Sequence, residues 1–412
     1  MPLPGIINVN TGFFSFAAQR NGPYEYGTDL YVLVPTGTSP QKANMYRSTD
    51  GGLTWAIADS TNSPTLAVAA FSGFNGVVDV DQSGTLLTML CSLSGAGGAA
   101  CIIAFDCSTN LWQAATTTAG PDVMTPPSLT NTNQVLRLAS RSNGDLVALY
   151  RGGSVAGGVT TAYAIYSGGV WGAPVTVAGG AGVPRPLMGA CVDSNGRVYI
   201  FYIVGPVGST VQFQTILQRS LPIGGSLSAE STVIDDMENA QQELGLPVAW
   251  SPNGVESVGV LYARGVFFTD PVPPAPPLFL ATTIGEAYLA QGSIAATPAF
   301  AGVNVNFQNT TTGQNGGGIS DLVIAPLPGG DVMALWITAS VHYSIAANRR
   351  TSGVWQRVNT VAWNGLIANQ ALYSNVYGLQ GRYLASRNKV GFVYEVDIQG
   401  GGSKILYNEV GL

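Results

Sequence analysis

Residues 142–150 read SNGDLVALY, and this stretch indicates the fold because it recurs along the chain. It combines an Asn-Gly turn with an apolar strand that ends in an aromatic residue, a pattern typical of β-hairpins. Close copies are SNGRVYIFY (194–202), PGGDVMALW (328–336) and SRNKVGFVY (386–394). Looser copies are YGTDLYVLV (26–34), QSGTLLTML (82–90) and PNGVESVGVLY (252–262). This self-similarity predicts a repeat architecture.

The copies recur at intervals of 52 to 76 residues, counted between their turn residues Gly27, Gly84, Gly144, Gly196, Gly254, Gly330 and Asn388. Several copies continue into a second hairpin that closes on tryptophan, as in MYRSTDGGLTW (45–55) and NRRTSGVW (348–355). Each repeat therefore supplies about four short antiparallel strands, the content of one propeller blade. A single blade leaves its faces open, whereas a ring of blades buries them. We predict an all-β fold, a single β-propeller of four-stranded antiparallel blades.

Seven copies favour seven blades, and six is the alternative, because the first and last segments can share one blade. Residues 8–18 are expected to pair with residues 402–411 and close the ring. We predict one domain over residues 1–412. Residues 270–318 are Pro-rich and then rich in Gly, Asn and Thr, so we interpret them as an insertion within the fifth repeat, with a domain linker as the competing interpretation.

Composition excludes several classes of function. The 412 residues include 17 Lys and Arg against 23 Asp and Glu, a net charge of −6, with no basic patch, so we expect no nucleic-acid partner. There is no apolar run of about 18 residues, so we expect no membrane insertion. The first residues have neither a basic region nor a continuous apolar core, so we expect no signal peptide.

The four cysteines have no metal-ligand spacing. Cys91 and Cys101 flank a glycine-rich stretch and are placed to face each other across a hairpin. A disulfide and buried free thiols are both consistent with this placement, and we expect free thiols.

Residues 46–55, YRSTDGGLTW, carry a denser pattern: Ser48, Asp50, Gly52, Thr54 and Trp55. An Asp side chain can accept N–H groups across its own turn, Gly tolerates positive φ, and Trp can fold back over the hairpin. The stretch resembles the Asp-box, the Ser/Thr-x-Asp-x-Gly-x-Thr-Trp hairpin of sialidase-like and other BNR-repeat propellers. This resemblance implies that the turn joins the two outer strands of a blade, on the face opposite the pocket. We therefore predict a structural role for these five residues.

The resemblance also implies an active site to look for. Sialidases hold a carboxylate with three arginines and use a Tyr–Glu pair and an acid/base Asp. Their N-terminal Arg-Ile-Pro segment has no counterpart here, since residues 1–30 offer only Arg20. Arg151, Arg185 and Arg264 follow or begin strands at the expected pocket face and are candidates for pairing with an anionic sugar; the alternative is that each caps a loop or pairs with a nearby carboxylate.

Asp235, Asp236 and Glu238 form the densest acidic stretch and are expected at the same face. Paired carboxylates there would suit glycoside hydrolysis or would hold Ca²⁺, and solvated loop charge is the commoner role. Beyond this possible Ca²⁺ site we expect no cofactor and no other metal.

Aromatic residues give the remaining candidates. Trp363, Tyr373 and Tyr377 lie in a loop-like stretch and would suit glycan contact. The repeated strand aromatics Tyr150, Tyr202, Tyr262, Trp336 and Tyr394 either line a pocket rim or pack between blades, and we favour packing.

Three functions follow in order of preference. The first is a non-catalytic recognition or structural propeller, a phage virion adhesin or decoration protein that contacts host-surface glycans or other virion proteins. Its location would be the virion, or the extracellular space after lysis. The second is a sialidase-like glycoside hydrolase that uses the carboxylates and arginines named above. The third is a protein–protein interaction scaffold.

Overall fold

The computed structural model describes residues 5–9, 21–36, 41–66, 77–92, 100–113, 137–154, 158–178, 187–204, 215–234, 248–250, 257–268, 278–290, 301–303, 318–339, 344–352, 354–356, 360–364, 373–398 and 403–412. These residues form strands and turns, with one 3-10 turn at Pro328–Gly330. Among them, no helix is long and apolar enough to cross a membrane.

The strands, in chain order, begin with β1 (Gly5–Val9) and then fall into seven groups. The first three groups are β2 (Tyr24–Tyr26), β3 (Asp29–Thr36), β4 (Gln41–Ser48), β5 (Ala56–Ile57) and β6 (Thr65–Leu66); β7 (Val77–Ser83), β8 (Leu86–Ser92), β9 (Ala100–Asp106) and β10 (Leu111–Trp112); and β11 (Arg137–Ser140), β12 (Leu146–Ser154), β13 (Gly158–Ser167), β14 (Val170–Trp171) and β15 (Val175–Ala178).

The remaining four groups are β16 (Leu187–Val192), β17 (Val198–Val204), β18 (Thr215–Leu221) and β19 (Ser231–Ile234); β20 (Val248–Trp250), β21 (Ser257–Phe268), β22 (Leu278–Ala290) and β23 (Ala301–Val303); β24 (Gly318–Pro326), β25 (Val332–Ala339), β26 (Ser344–Thr351), β27 (Val354–Trp355) and β28 (Thr360–Asn364); and β29 (Tyr373–Leu384), β30 (Lys389–Ile398) and β31 (Ser403–Gly411).

Each group forms one antiparallel sheet, so the described strands form seven sheets, numbered here first to seventh in chain order. Strands follow one another across each sheet, and in the first, third and sixth sheets the outermost position is divided between two short strands that pair with the same neighbour. The prediction of an all-β propeller with four-stranded antiparallel blades is confirmed. The first and last segments do share a sheet, as the six-blade alternative supposed, but the sheets formed by the described strands number seven.

The repeated turn follows from backbone geometry. Gly84 joins β7 to β8 with φ of 59°, and Asn388 occupies the corresponding turn of the seventh sheet with φ of 50°. Glycine adopts positive φ without steric cost, and asparagine tolerates it better than most residues. The repeated turn therefore marks the hairpin between the first and second strands, as the second and seventh sheets show.

The first strands of the sheets lie against one another and form the inner wall of the ring. Tyr24 of β2 donates its hydroxyl to Val80 O of β7 at 2.9 Å, and Leu138 N of β11 donates to Asp79 Oδ2 of β7 at 2.8 Å. Strand β16 contacts β11 and β20, β24 contacts β20 and β29, and β29 contacts β2. Apolar clusters fill the spaces between neighbouring sheets, as between the sixth and seventh and between the first and second. Burial between sheets is what a lone blade lacks, and it is the main stabilising contribution.

The ring closes through the two ends of the chain. Strand β1 pairs antiparallel with β31, Gly5 opposite Tyr407 and Val9 opposite Lys404, and becomes the outermost strand of the seventh sheet. The expected pairing of the terminal segments is present, but its N-terminal strand is Gly5–Val9. Residues 10–18 of the predicted segment lie outside the described part of the chain.

The structure corrects the expected position of the repeated aromatics. Strands β17, β25 and β30 each continue beyond the aromatic residue, so that residue lies inside the strand. Tyr202, Trp336 and Tyr394 have at most 2% of their surface exposed, which identifies them as packing residues. Tyr150 and Tyr262 also lie within strands, β12 and β21.

Two segments that the sequence analysis treated as an insertion and a loop contain strands in the structure. Within residues 270–318, Leu278–Ala290 and Ala301–Val303 are the third and fourth strands of the fifth sheet. The loop interpretation for Trp363, Tyr373 and Tyr377 is wrong, since Trp363 lies in β28 and the two tyrosines in β29. The pairing of β29 with β30 is irregular at two places, which interrupts the alternation that marks a strand.

Cys91 and Cys101 lie directly opposite each other on β8 and β9. Both are free and buried, as are Cys107 and Cys191. The expectation of buried free thiols is confirmed, and three of them, Cys91, Cys101 and Cys107, lie in the apolar cluster between the first and second sheets.

Candidate functional site

Asp50 occupies the centre of the turn that joins β4 to β5, the two outer strands of the first sheet. Its carboxylate accepts hydrogen bonds from Ser48 Oγ (2.8 Å), Leu53 N (3.1 Å), Thr54 N (2.9 Å) and Thr54 Oγ1 (2.5 Å). The hydrogen bonds from Thr54, side chain first and backbone second, lower the pKa of Asp50 to about 2. The carboxylate therefore stays charged at neutral pH and uses its acceptor capacity within its own turn.

The same turn packs against the strands that close the ring. Trp55 folds back and donates Nε1 to Gly52 O at 3.0 Å, and its ring meets the ring of Tyr407 edge-on, with 5.4 Å between centroids. A Cβ on Gly52 would lie 2.1 Å from Tyr407 Cε1, and one on Gly5 would lie 1.9 Å from Gly52 O. Glycine at both positions lets the turn of the first sheet touch both β1 and β31. The 48–55 turn thus joins the first sheet to the seventh.

A cluster of charges fixes Tyr407 from the other side. Glu409 accepts hydrogen bonds from the Tyr407 hydroxyl (2.7 Å), from Lys389 Nζ (2.9 Å) and from the Arg387 guanidinium. Burial alone would raise the pKa of Glu409, but these three donors outweigh burial and lower it. The Tyr407 ring is therefore held in place at both its edge and its hydroxyl.

The predicted catalytic and metal residues are only partly placed. Arg151 lies in β12 opposite Thr161, and Arg264 lies in β21 opposite Thr283, so the structure gives their backbone positions in the second strands of their sheets. Arg185 lies outside the described residues, as does the whole acidic stretch with the possible Ca²⁺ ligands Asp235, Asp236 and Glu238. The active-site and metal predictions therefore remain predictions, as does glycan contact by Trp363, Tyr373 and Tyr377.

A cavity of about 520 Å³ lies at the centre of the ring and is called here the axial cavity. Its described lining comes from the segment that enters β2 and from β2, β7, β11, β16, β24 and β29, mostly near the ends where these first strands turn into second strands. Ser83 and Ser142, which are exposed, form part of the lining, so the cavity reaches solvent at this end. This is the end opposite to the predicted pocket face, where second strands end.

The axial cavity contains a stacked guanidinium. The Arg382 Cζ atom lies 4.4 Å from the centroid of the Tyr24 ring, and Arg382 Nη1 donates to Gln82 Oε1 at 3.1 Å. The Gln82 amide is fixed in turn, because its Nε2 donates to Glu25 O at 2.9 Å. This arrangement leaves the cation in a defined position, since both its ring contact and its amide acceptor are held by other strands.

Asp81 is the one carboxylate among the described residues that line the axial cavity. Its Oδ2 accepts Ser140 N at 2.8 Å, and its Oδ1 accepts Gln82 N at 3.1 Å. Both oxygens therefore bond to the backbone, and the bond to Oδ2 joins β7 to β11. Asp81 is placed as a link between two sheets.

Three other lining residues carry buried polar atoms that have no partner among the described residues: Ser140 Oγ, Arg141 Nε and Gln380 Nε2. Arg141 is anchored by its Nη2, which donates to Leu221 O at 2.9 Å, and burial lowers its pKa. Gln380 is anchored by its Oε1, which accepts Asn21 N. These three atoms have almost no accessible surface, so they lie behind the wall of the cavity and do not face its volume.

Sequence reasoning missed the axial cavity. Its polar residues come from strands up to about 300 residues apart, as Gln82 and Arg382 show. A signal was present, since Gln82 and Arg141 are long polar residues that come immediately before the repeated turn, at or just after the end of a first strand. In one repeat such a residue looks like ordinary turn polarity, and only the ring shows that several of them meet.

No protein-family model matches the chain, and no curated protein matches it in sequence. Solved structures do share its shape. The chain is similar to the polysaccharide lyase Uly1, with a TM-score of 0.51, 9% identity, and 97% of this chain and 92% of that one covered. It also matches an α-L-arabinanase from Penicillium chrysogenum complexed with arabinobiose (TM-score 0.47, 11% identity, 99% and 97% covered) and the fucose-binding lectin of Aleuria aurantia (0.43, 12%, 80% and 89%). At these identities the likeness to the lyase shows the fold alone.

Proposed function

We propose that this protein is a carbohydrate-recognition propeller that binds a sugar in its axial cavity without transforming it. The observation that supports this proposal is the composition of the cavity. The ring-stacked Arg382, the amide residue Gln82 and apolar strand residues line a volume of about 520 Å³, which is within the range of small-molecule sites, roughly 300–1,000 Å³. Sugars need this combination, since they offer apolar ring faces and polar edges.

The described lining of the axial cavity does not supply the two carboxyl groups of a usual glycoside hydrolase. Glycoside hydrolysis of the usual kind needs two carboxyl groups at defined separation, one of them acting on the leaving oxygen. The described lining of the axial cavity has one carboxylate, and both its oxygens accept backbone N–H groups. This cavity is therefore suited to binding. Uly1 and the arabinanase are carbohydrate-active by name, which is compatible with the proposal, but the cavity supports it and the likeness does not.

The biological setting we propose is a phage virion, in which the propeller acts as an adhesin or decoration protein on host-surface glycans. The low Lys content and the strands rich in Gly, Asn, Thr and Ala support this setting. Isolation of virions and immunodetection of the chain among their proteins is the test. Detection only in host-derived fractions would contradict it.

A glycan array combined with a panel of aryl glycosides and sialosides tests the recognition function. We expect retention of at least one glycan class on the array and no release of aryl alcohol. Turnover that Asp236→Asn abolishes would instead establish the alternative, a sialidase-like hydrolase that uses the acidic 235–238 stretch. Neither retention nor turnover, with co-purification of a protein partner, would favour an interaction scaffold.

A further inference from the structure

We propose that Cys91 and Cys101 form a redox-sensitive dithiol, which hydrogen peroxide oxidises to a disulfide and glutathione reduces again. This inference goes beyond the proposed recognition function and does not depend on it. The two cysteines belong to β8 and β9 of the second sheet, and neither is among the described residues that line the axial cavity.

The two thiols lie side by side because their strands pair in register. Cys91 is directly opposite Cys101, so both side chains point to the same face of the sheet, into the apolar cluster between the first and second sheets. Both residues have 0% of their surface exposed. Burial, and after it the neighbouring Cys101, raises the pKa of Cys91, so the two sulfur atoms lie within electrostatic reach of each other.

The type of strand pair sets the distance between the two cysteines. Cys107 N donates to Thr85 O at 2.9 Å, and these two residues continue the same register six positions away from Cys101 and Cys91. Hydrogen-bonded and non-hydrogen-bonded pairs alternate along an antiparallel ladder, and six is an even number, so Cys91 and Cys101 form a hydrogen-bonded pair. The Cα atoms of such a pair are about 5.5 Å apart, within the range of about 4.4–6.8 Å that a disulfide spans.

The same pairing predicts a disulfide that is easily reduced. Opposite Cβ atoms lie about 4.5–5.5 Å apart, with the longer distances in hydrogen-bonded pairs, whereas a disulfide needs about 3.5–4.5 Å. Oxidation must therefore draw the two strands together by about 1 Å, which strains the ladder. Strained disulfides are the labile ones, while unstrained structural disulfides resist reduction by glutathione.

Oxidation by hydrogen peroxide balances within this dithiol. The thiolate of one cysteine attacks the peroxide and becomes a sulfenic acid, and the hydroxide that leaves takes up the proton that this thiol had lost. The second thiol then attacks the sulfenic sulfur, the S–S bond forms, and the sulfenic oxygen leaves as water. Two thiols and one peroxide thus give one disulfide and two waters; the sulfurs lose two electrons and the peroxide oxygens gain them. Local opening of strand ends gives access, since Cys91 is the next-to-last residue of β8 and Cys101 the second residue of β9.

The test treats the full native chain, reduced and then separated from reductant, with hydrogen peroxide. After catalase stops the reaction, the chain is unfolded in urea, alkylated at its thiols and digested with chymotrypsin, because residues 48–136 contain no Lys or Arg. Mass spectrometry should show Cys91 and Cys101 unalkylated in one linked product that is two hydrogen atoms lighter than its reduced form. Cys107 and Cys191 should be alkylated. Incubation of the oxidised chain with reduced glutathione should restore alkylation of Cys91 and Cys101.

Cys107→Ala is the matched control, because Cys107 is buried in the same apolar cluster but lies six positions along the ladder, about 20 Å away, too far to be bridged. It should leave the linked product unchanged, whereas Cys101→Ala should abolish it, with both variants checked for a native urea transition. The inference is overturned if the native chain gives no link between Cys91 and Cys101, if Cys107 takes part in the link, or if peroxide converts either cysteine to a sulfinic acid instead. A link that survives glutathione would overturn the reversibility.

Discussion

Replacing Gly52 by alanine tests the contact through which the 48–55 turn joins the first sheet to the seventh. Gly52 has φ of 89°, and a Cβ there would lie 2.1 Å and 2.3 Å from two atoms of the Tyr407 ring. Tyr407 has 3% of its surface exposed and is held by Trp55 and Glu409, so the ring cannot move aside without breaking those contacts. The substitution must therefore strain the backbone at Gly52 and overpack the contact between the 48–55 turn and the Tyr407 ring.

The two costs can be separated. A non-glycine residue in the left-handed region costs about 1–2 kcal/mol, and overpacking a filled site costs about 1–3 kcal/mol, so Gly52→Ala should lower the free energy of unfolding by about 2–5 kcal/mol. Gly84→Ala is the matched control, since Gly84 has φ of 59° and a Cβ there would meet nothing within 4 Å. Gly84→Ala should lower the free energy of unfolding only by the cost of the left-handed backbone, about 1–2 kcal/mol. The entropy that alanine removes from the unfolded chain is common to both variants and cancels.

Urea unfolding followed by tryptophan fluorescence measures the difference, provided that the variants share one m value. A second measurement places Gly52→Ala in a Tyr407→Ala background, where the ring is absent and the substitution should cost about 1–2 kcal/mol. Our reasoning is refuted if Gly52→Ala costs no more than Gly84→Ala, or if its cost is unchanged when the Tyr407 ring is removed.

Three further outcomes are expected. Asp50, whose pKa is lowered to about 2 chiefly by the side chain of Thr54, adds stability that is present above its ordinary pKa of 3.8 and is lost as pH falls toward 2. Asp50→Asn should therefore show a deficit in unfolding free energy at pH 5 that shrinks at pH 2.5, and an equal deficit at both pH values would contradict this origin. Burial raises the pKa of Cys91 well above its ordinary value, and all four cysteines are buried. A thiol reagent at pH 8 should therefore label the native chain slowly and should label all four cysteines after urea unfolding. Rapid labelling of the native chain would contradict the buried placement. Gly5→Ala would put a Cβ 1.9 Å from Gly52 O and should lower the urea midpoint of unfolding, whereas an unchanged midpoint would show that β1 does not contact the turn.

The architecture was accessible from the sequence because its signals are local. A hairpin turn needs positive φ, and a strand at a sheet interface needs apolar residues, so each repeat shows its pattern within about ten residues. The Asp50 turn was predictable for the same reason, since its hydrogen-bond partners Ser48 and Thr54 lie within four residues of it. The aromatic positions were predicted less well. Tyr202 and Tyr394 are buried within strands that continue beyond them, and the position at which a strand ends depends on its pairing with neighbouring strands, which no short stretch of sequence shows.

The sequence by itself determined that the chain folds as repeated antiparallel sheets, because turn and strand preferences act between neighbouring residues. The tertiary structure alone decided which repeats touch and which side chains share the axis. Arg382 meets Gln82, and Gly52 meets Tyr407, across separations of about 300 residues or more. These contacts exist because closing the ring brings the first sheet against the last and turns one edge of every sheet inward. No window of sequence contains that geometry, so neither the axial cavity nor the joint between the first and seventh sheets can be read from the repeats one at a time.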